Sequence, residues 1–254
     1  EPGGTSQTGC RAMSGEAVLV VEDLSKHFGG VAALDGLAFT LRANELRCLI
    51  GPNGAGKSTF FKCLTGQLTP DAGSIRFAGR EVAGSSTIAI ARAGVGLKMQ
   101  VPSVFDGLTV RDSLCVAGQR RLRGRALDGA IAEVLARLDI GDLAQRLVGT
   151  LAHGQRQLVE LAMVLMQEPA LVLLDEPTAG MDETEIERVA ALLHELAQAH
   201  ALVVVEHDMR FVANIAGVVT VMHHGRLLVE GPADSVLADA QVRDAYLGDG
   251  HADG

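Results

Sequence analysis

The sequence predicts an α/β fold with a parallel sheet at its centre, and three observations carry that prediction. The first is an immediate succession of strand, Gly-rich turn and helix. It runs through Leu46-Arg-Cys-Leu-Ile50, Gly51-Pro-Asn-Gly-Ala-Gly-Lys57 and Phe60-Phe-Lys-Cys-Leu64. The second is a pair of wholly apolar runs at 170–174 and 201–205. Strands of that kind have both faces covered, which places them inside a parallel sheet. The third is a set of short β-rich segments at 17–22, 37–41 and 74–77, separated by turns rather than helices. They read as an antiparallel β element beside the Gly-rich turn.

From about residue 102 to 166 the pattern becomes helical. Ile131, Val134, Leu135 and Leu138 recur at i, i+3, i+4 and i+7, and 155–167 has an apolar face of its own. Asp182-Glu-Thr-Glu185 resembles a capping box and opens a helix with Ile186, Val189, Leu193 and Leu196 inward. Segments 218–222 and 226–229 form a hairpin through His223-His224-Gly225, and short helices close the chain near Tyr246.

Composition narrows the function classes. The 254 residues are 48% hydrophobic, ample for a core, yet no apolar stretch reaches the roughly 18 residues of a membrane span. A soluble chain is expected, one that is free to dock on a membrane protein. The net charge of −9 argues against nucleic acid, whose binders carry a basic surplus. One basic cluster, Arg120-Arg121-x-Arg123-x-Arg125, lacks interleaved aromatics and reads as a solvated loop or helix end. Cys10, Cys48, Cys63 and Cys115 are scattered, which suits a reducing compartment. Residues 1–14 read as a flexible extension, with Met13 a candidate start and 15–254 a single folded unit.

The Gly-rich turn carries the first specific chemistry. Gly51, Pro52, Asn53, Gly54, Ala55, Gly56, Lys57, Ser58 and Thr59 fit G-x-x-x-x-G-K-[ST] between a strand and a helix. Glycines let successive N–H groups turn inward on phosphate oxygens, and the helix N-terminus adds its positive end. Lys57 would reach the β- and γ-phosphates of a nucleoside triphosphate, and the Ser58 hydroxyl would ligate Mg²⁺. Such a loop needs a carboxylate at the end of a neighbouring strand to hold the metal's water shell. Asp175 stands there, after four apolar residues. Glu176 follows and points differently, as suits a residue that polarises the attacking water.

With these residues in place, the chain resembles the ATP-binding subunit of an ABC transporter from about Val18 to Leu247. Six elements stand in the family's order. Phe28 occupies the place of the adenine-stacking aromatic, and 51–59 that of Walker A. Gln100, in Met99-Gln-Val-Pro102, matches the glutamine that ligates Mg²⁺ and senses the transmembrane partner. Leu151, Ala152, His153, Gly154 and Gln155 occupy the signature. Residues 171–176 correspond to Walker B, followed by Ala179-Gly-Met-Asp182 as the D-loop, and His207 matches the switch histidine.

The resemblance implies a P-loop (RecA-like) core with an antiparallel β subdomain and an inserted α-helical subdomain. It also implies ATP and Mg²⁺ as cofactors, with Mg²⁺ held by Ser58, Gln100 and Asp175. Catalysis would rest on Glu176 and His207. The implied partners are a second ATP-binding subunit, identical or paralogous, transmembrane permease subunits and, indirectly, a solute-binding protein. No nucleic acid is expected, and the place is peripheral, at the cytoplasmic face of the inner or plasma membrane. The stretch 101–110 after Gln100 is where family members receive a coupling helix.

Several stretches are most similar to importers of branched-chain amino acids, amides and urea: 45–50, 93–97, 203–209 and Val242-x-x-x-Tyr246-Leu-Gly248. The Glu-Leu-Arg-Cys run and the signature histidine lean toward the urea type. A soluble ABC ATPase working on ribosomes or cofactor assembly is the rival reading. A DNA-maintenance ATPase would need long coiled-coil heptads that this chain lacks.

Plainer roles stand beside these. Phe28 is read against a core aromatic, Asp182 against a simple N-cap and His207 against a satisfied core histidine. His27, His194, His200, His223, His224 and His251 are assigned no ligand role. The signature departs from the family's L-S-G-G-Q, because Ala152 replaces the serine and His153 the first glycine. Loss of that hydroxyl should weaken pairing about tenfold or more.

Overall fold

The computed structural model describes residues 15–98 and 104–248. The expectations for the extension 1–14, for Gln100 and for its immediate neighbours lie outside the described residues.

Two sheets and the helices around them form the structure. One sheet is antiparallel, in the order β2-β1-β4-β5, from β1 (Ala17–Phe28), β2 (Val31–Arg42), β4 (Ala72–Phe77) and β5 (Arg80–Glu81). The first predicted strand runs on through register shifts past residue 22, and so carries Phe28 to its tip. Strand β4 starts two residues before the expected segment 74–77, because Ala72 already pairs with Ser25.

The second sheet has the order β10-β9-β3-β8-β7-β6. Its strands are β3 (Leu46–Ile50), β6 (Val95–Lys98), β7 (Leu171–Asp175), β8 (Ala201–Val205), β9 (Val218–His223) and β10 (Arg226–Pro232). All neighbours are parallel except the β9–β10 hairpin. Strand β3 lies centrally, with Cys48 opposite Val204 on one side and Val219 on the other.

Alternation along the buried strands divides the core in two. Cys48, Ile50, Val172, Leu174, Leu202 and Val204 face one cluster. Leu49, Leu171, Leu173, Val203 and Val205 face the other, shared with Phe39, Phe60 and Phe61. The first cluster is covered by α3 (Val110–Gly118), α4 (Gly124–Arg137), α5 (His153–Leu165), α6 (Glu183–Leu196) and α7 (Met209–Ile215). The second is covered by the antiparallel sheet and α1 (Lys57–Leu64), where the Phe39 and Phe60 rings meet edge-to-face at 5.4 Å. Burying each such side chain contributes roughly 1.5–3 kcal/mol.

Shorter elements escaped the periodicity reading: α2 (Thr87–Ala93), β5 and α7, whereas α3 falls inside the stretch expected to be helical. Strand β6 contains Gly96 because a Cβ there would meet Val164 of α5 at 2.6 Å. The chain ends in α8 (Ala233–Leu237) and α9 (Ala240–Gly248). In the basic cluster between α3 and α4, Arg121 pairs with Glu168 at 2.6 Å at the surface. Among the described residues no helix is long and apolar enough to cross a membrane.

Candidate functional site

The Gly-rich turn leaves β3 and enters α1, wedged between the hairpin and the antiparallel sheet. Gly56 has φ 101°, and a Cβ on it would lie 2.4 Å from the Ala33 carbonyl oxygen. At Gly51 a Cβ would lie 2.3 Å from the Met222 carbonyl oxygen. Only glycine fits either position. The β9–β10 turn braces the loop from behind. Gly225 N–H donates to the Ala55 carbonyl at 3.0 Å, and Asp35 N–H donates to the Gly225 carbonyl at 3.0 Å.

Helix α1 starts at Gly56 with no side-chain cap, so its first N–H groups are free to meet an anion. Lys57 Nζ donates to the carbonyls of Gly51 and Pro52 at 2.5 and 2.9 Å. Burial pushes its pKa down, while the carboxylates of Glu176 and Asp175 favour its charge.

Phe28, Ala33, residues 53–59, Asp175, Glu176 and Val205 line one cleft of about 450 Å³. Phe28 stands at its edge, 49% exposed, with Lys26 Nζ 5.8 Å from the ring centre. An exposed aromatic face is available there for stacking, whereas a core phenylalanine would be covered.

Asp175 is the last residue of β7. Burial pushes its pKa up first, and the Glu176 charge adds to this, against the pull of Lys98 and Lys57. Its ionised form is therefore short of positive charge, a deficit that a divalent cation relieves. Glu176 leaves the strand with φ 45°, its N–H bonded to the Val205 carbonyl at 2.9 Å. That left-handed step turns its side chain away from Asp175's direction. Its Oε1 lies 3.3 Å from Nδ1 of His207, a residue 69% exposed just beyond β8.

Sequence reasoning missed two charged residues behind this edge. Glu206 is buried, and its Oε1 accepts from Thr178 Oγ1 at 2.7 Å while Oε2 accepts from His207 N–H at 3.2 Å. It ties the turn after Glu176 to the turn bearing His207. Lys98, 1% exposed at the end of β6, faces Glu160, Asp175 and Glu206. The available signal was a lone charge ending an apolar strand and a carboxylate directly before His207.

The other predicted residues stand apart from the cleft lining. Leu151 is buried, Ala152 is the N-cap of α5, and His153, Gly154 and Gln155 form its first turn. Asp182 caps α6, its Oδ1 accepting from Glu185 N–H at 2.9 Å while Glu185 Oε2 accepts from Asp182 N–H at 3.1 Å. These segments meet each other. A Cβ on Gly154 would lie 2.6 Å from a Glu185 carboxylate oxygen, and one on Gly180 would lie 2.9 Å from the His153 ring.

Residues 34–179 match the family model described as ABC transporter. Residues 226–252 match one described as branched-chain amino acid ATP-binding cassette transporter. The chain is 34% identical over 250 residues to the high-affinity branched-chain amino acid transport ATP-binding protein BraF of Pseudomonas aeruginosa, covering 91% of this chain and 98% of that one. With the LivG protein of Escherichia coli K12, of the same printed description, it shares 33% identity over 92% of its own length and 99% of the relative's. Among solved structures it is similar to an ATP-binding cassette of an ABC transporter in its ADP conformation. There the TM-score is 0.84 at 26% identity, covering 92% of this chain and 99% of that one.

Proposed function

The chain belongs to the ABC transporter ATP-binding family, and from that premise we propose that it hydrolyses ATP to drive an importer of branched-chain amino acids. The match at 226–252 and the names of the relatives support that solute class. Urea and short amides, carried by the same importer group, are the solutes to test beside it.

The observation that carries the reading is the single cleft that gathers Phe28, the phosphate loop, Asp175 and Glu176, with His207 against Glu176. Phe28 stacks on the adenine, and the loop N–H groups with Lys57 hold the β- and γ-phosphates. Mg²⁺ suits the oxygen donors Ser58 and Asp175, with Gln100 assigned to the same ion, and when bound it neutralises phosphate charge. Glu176 orients the attacking water and draws its proton, while His207 holds the Glu176 carboxylate in place.

Each chain supplies a second half-site, the signature turn 151–155, to a paired cassette, identical or paralogous. Closing of the pair completes both sites, and permease subunits at the cytoplasmic face of the membrane convert the motion into transport. Glu176→Gln tests the assignment: nucleotide binding stays within about twofold while turnover falls roughly 10²–10⁴-fold. Wild-type turnover in that variant would remove Glu176 from the role of base. Co-purification of permease subunits from membranes tests the importer against the soluble ATPase.

A further inference from the structure

Ala152 leaves the signature turn without a hydroxyl, and the structure puts a different donor beside the gap. Only half of a capping box exists at the start of α5: Ala152 N–H donates to Gln155 Oε1 at 3.2 Å, and alanine has no oxygen to return. The next residue is held firmly. His153 Nε2 lies 3.1 Å from the Gln157 side-chain nitrogen. A Cβ on Gly180 would fall 2.9 Å from His153 Cδ2 and 3.6 Å from Nε2.

Both contacts lie on one edge of the imidazole. With the Gln157 amide donating, Nε2 accepts, so the neutral ring carries its proton on Nδ1. Nδ1 lies on the opposite edge, and His153 is exposed. The ring thus meets Gln157 and Gly180 along its Cδ2–Nε2 edge, which leaves its one N–H on the edge away from both contacts, at the start of α5. The Glu185 carboxylate lies against Gly154 and is already engaged with the Asp182 N–H, so the outer side of the turn is the side left for an anion.

We propose that His153 Nδ1–H donates to the terminal phosphate of the nucleotide held by the paired cassette, replacing the donor that Ala152 lacks. This rests on the paired-cassette reading above. It also gives Gly180 a reason to be glycine beyond its φ of 71°, since any side chain there would displace the ring.

The test measures MgATP-driven association of the chain with itself or with the cassette that co-purifies with it, in a Glu176→Gln background, by sedimentation. Nucleotide affinity of the isolated chain and melting temperature are read alongside. His153→Phe keeps a ring against Gly180 but removes the donor, and is expected to weaken association about tenfold or more with binding to the isolated chain unchanged. His153→Asn places an amide near the Nδ1 position and restores most of the loss. Adding Ala152→Ser to His153→Phe recovers more than the same change does in the parent chain.

Association of His153→Phe as tight as the parent's would overturn the donor role while leaving the paired-cassette reading standing. If the parent itself does not respond to MgATP, with either partner, that reading falls and this inference with it. Should His153→Phe lower the melting temperature, the Asn variant decides: failure of a well-folded His153→Asn to recover association also overturns the proposal.

Discussion

The phosphate loop and the signature turn are both Gly-containing helix starts, yet they are built in opposite ways. Around the loop, backbone from β2, β9 and the hairpin turn closes in until Gly51 and Gly56 have no room for a methyl group. Around the signature, Ala152 and His153 are exposed, and the packing from other elements comes through Gly180 and Glu185. The first is braced on all these sides by its own chain. The second presents a half-made surface, and its inner side is fastened to the turn that follows Glu176. Under the proposed pairing, one chain offers a braced nucleotide cradle and an unfinished half-site for a second chain, in contact where Gly180 meets His153 and Gly154 meets Glu185.

The comparison breaks most sharply at Lys57. If the loop alone holds nucleotide, Lys57→Ala should lower ATP affinity of the isolated chain by about two orders of magnitude, read by fluorescence titration. Changes at the signature turn should leave that affinity untouched. A signature variant that weakened binding in the isolated chain would show that the two regions are not separate half-sites.

Gly56→Ala probes how tightly the loop is packed. At φ 101° and 2.4 Å from the Ala33 oxygen, the new methyl demands a backbone shift. We expect destabilisation of roughly 1–3 kcal/mol, a fall of about 5 °C in melting temperature, and weaker ATP binding. Gly154→Ala is the matched change on the other surface. Its methyl would meet the Glu185 carboxylate, the end of a flexible side chain, so the stability loss should be smaller.

The two regions were also unequally legible in the sequence. The cradle announced itself through local signals: an apolar strand, glycines at fixed spacing, Lys57-Ser58, and Asp175 at the end of a second apolar run. The cap of α6 was equally readable, because Asp182 and Glu185 stand three residues apart. What braces the cradle was not readable, since the Gly225 turn, more than 150 residues away in the chain, reaches it only through the order of the sheet. Glu206 and Lys98 were passed over because their burial is a property of packed strands, not of spacing. The contact between His153 and Gly180 joins segments that no periodicity connects. Helices α2 and α7, seven residues each, give too few turns for a periodic pattern to emerge.

The smallest expected effect belongs to Ala152→Ser, and it separates two roles of one hydroxyl. Ala152 already has N-cap geometry, φ −61° and ψ 161°, with Gln155 bonded back to its N–H. A serine oxygen there can accept from the Gln155 N–H and complete the box, adding roughly 0.5–2 kcal/mol of stability without nucleotide. That gain corresponds to a rise of a few degrees in melting temperature. Accepting that bond leaves the hydroxyl proton free to donate to a phosphate across the pair, so capping and phosphate binding do not compete. If His153 already supplies a donor, MgATP-driven association tightens by less than tenfold while the melting temperature still rises. A gain of tenfold or more in association would mean instead that the unfinished surface truly lacks a side-chain donor, and that the cradle has been waiting on Ala152 alone.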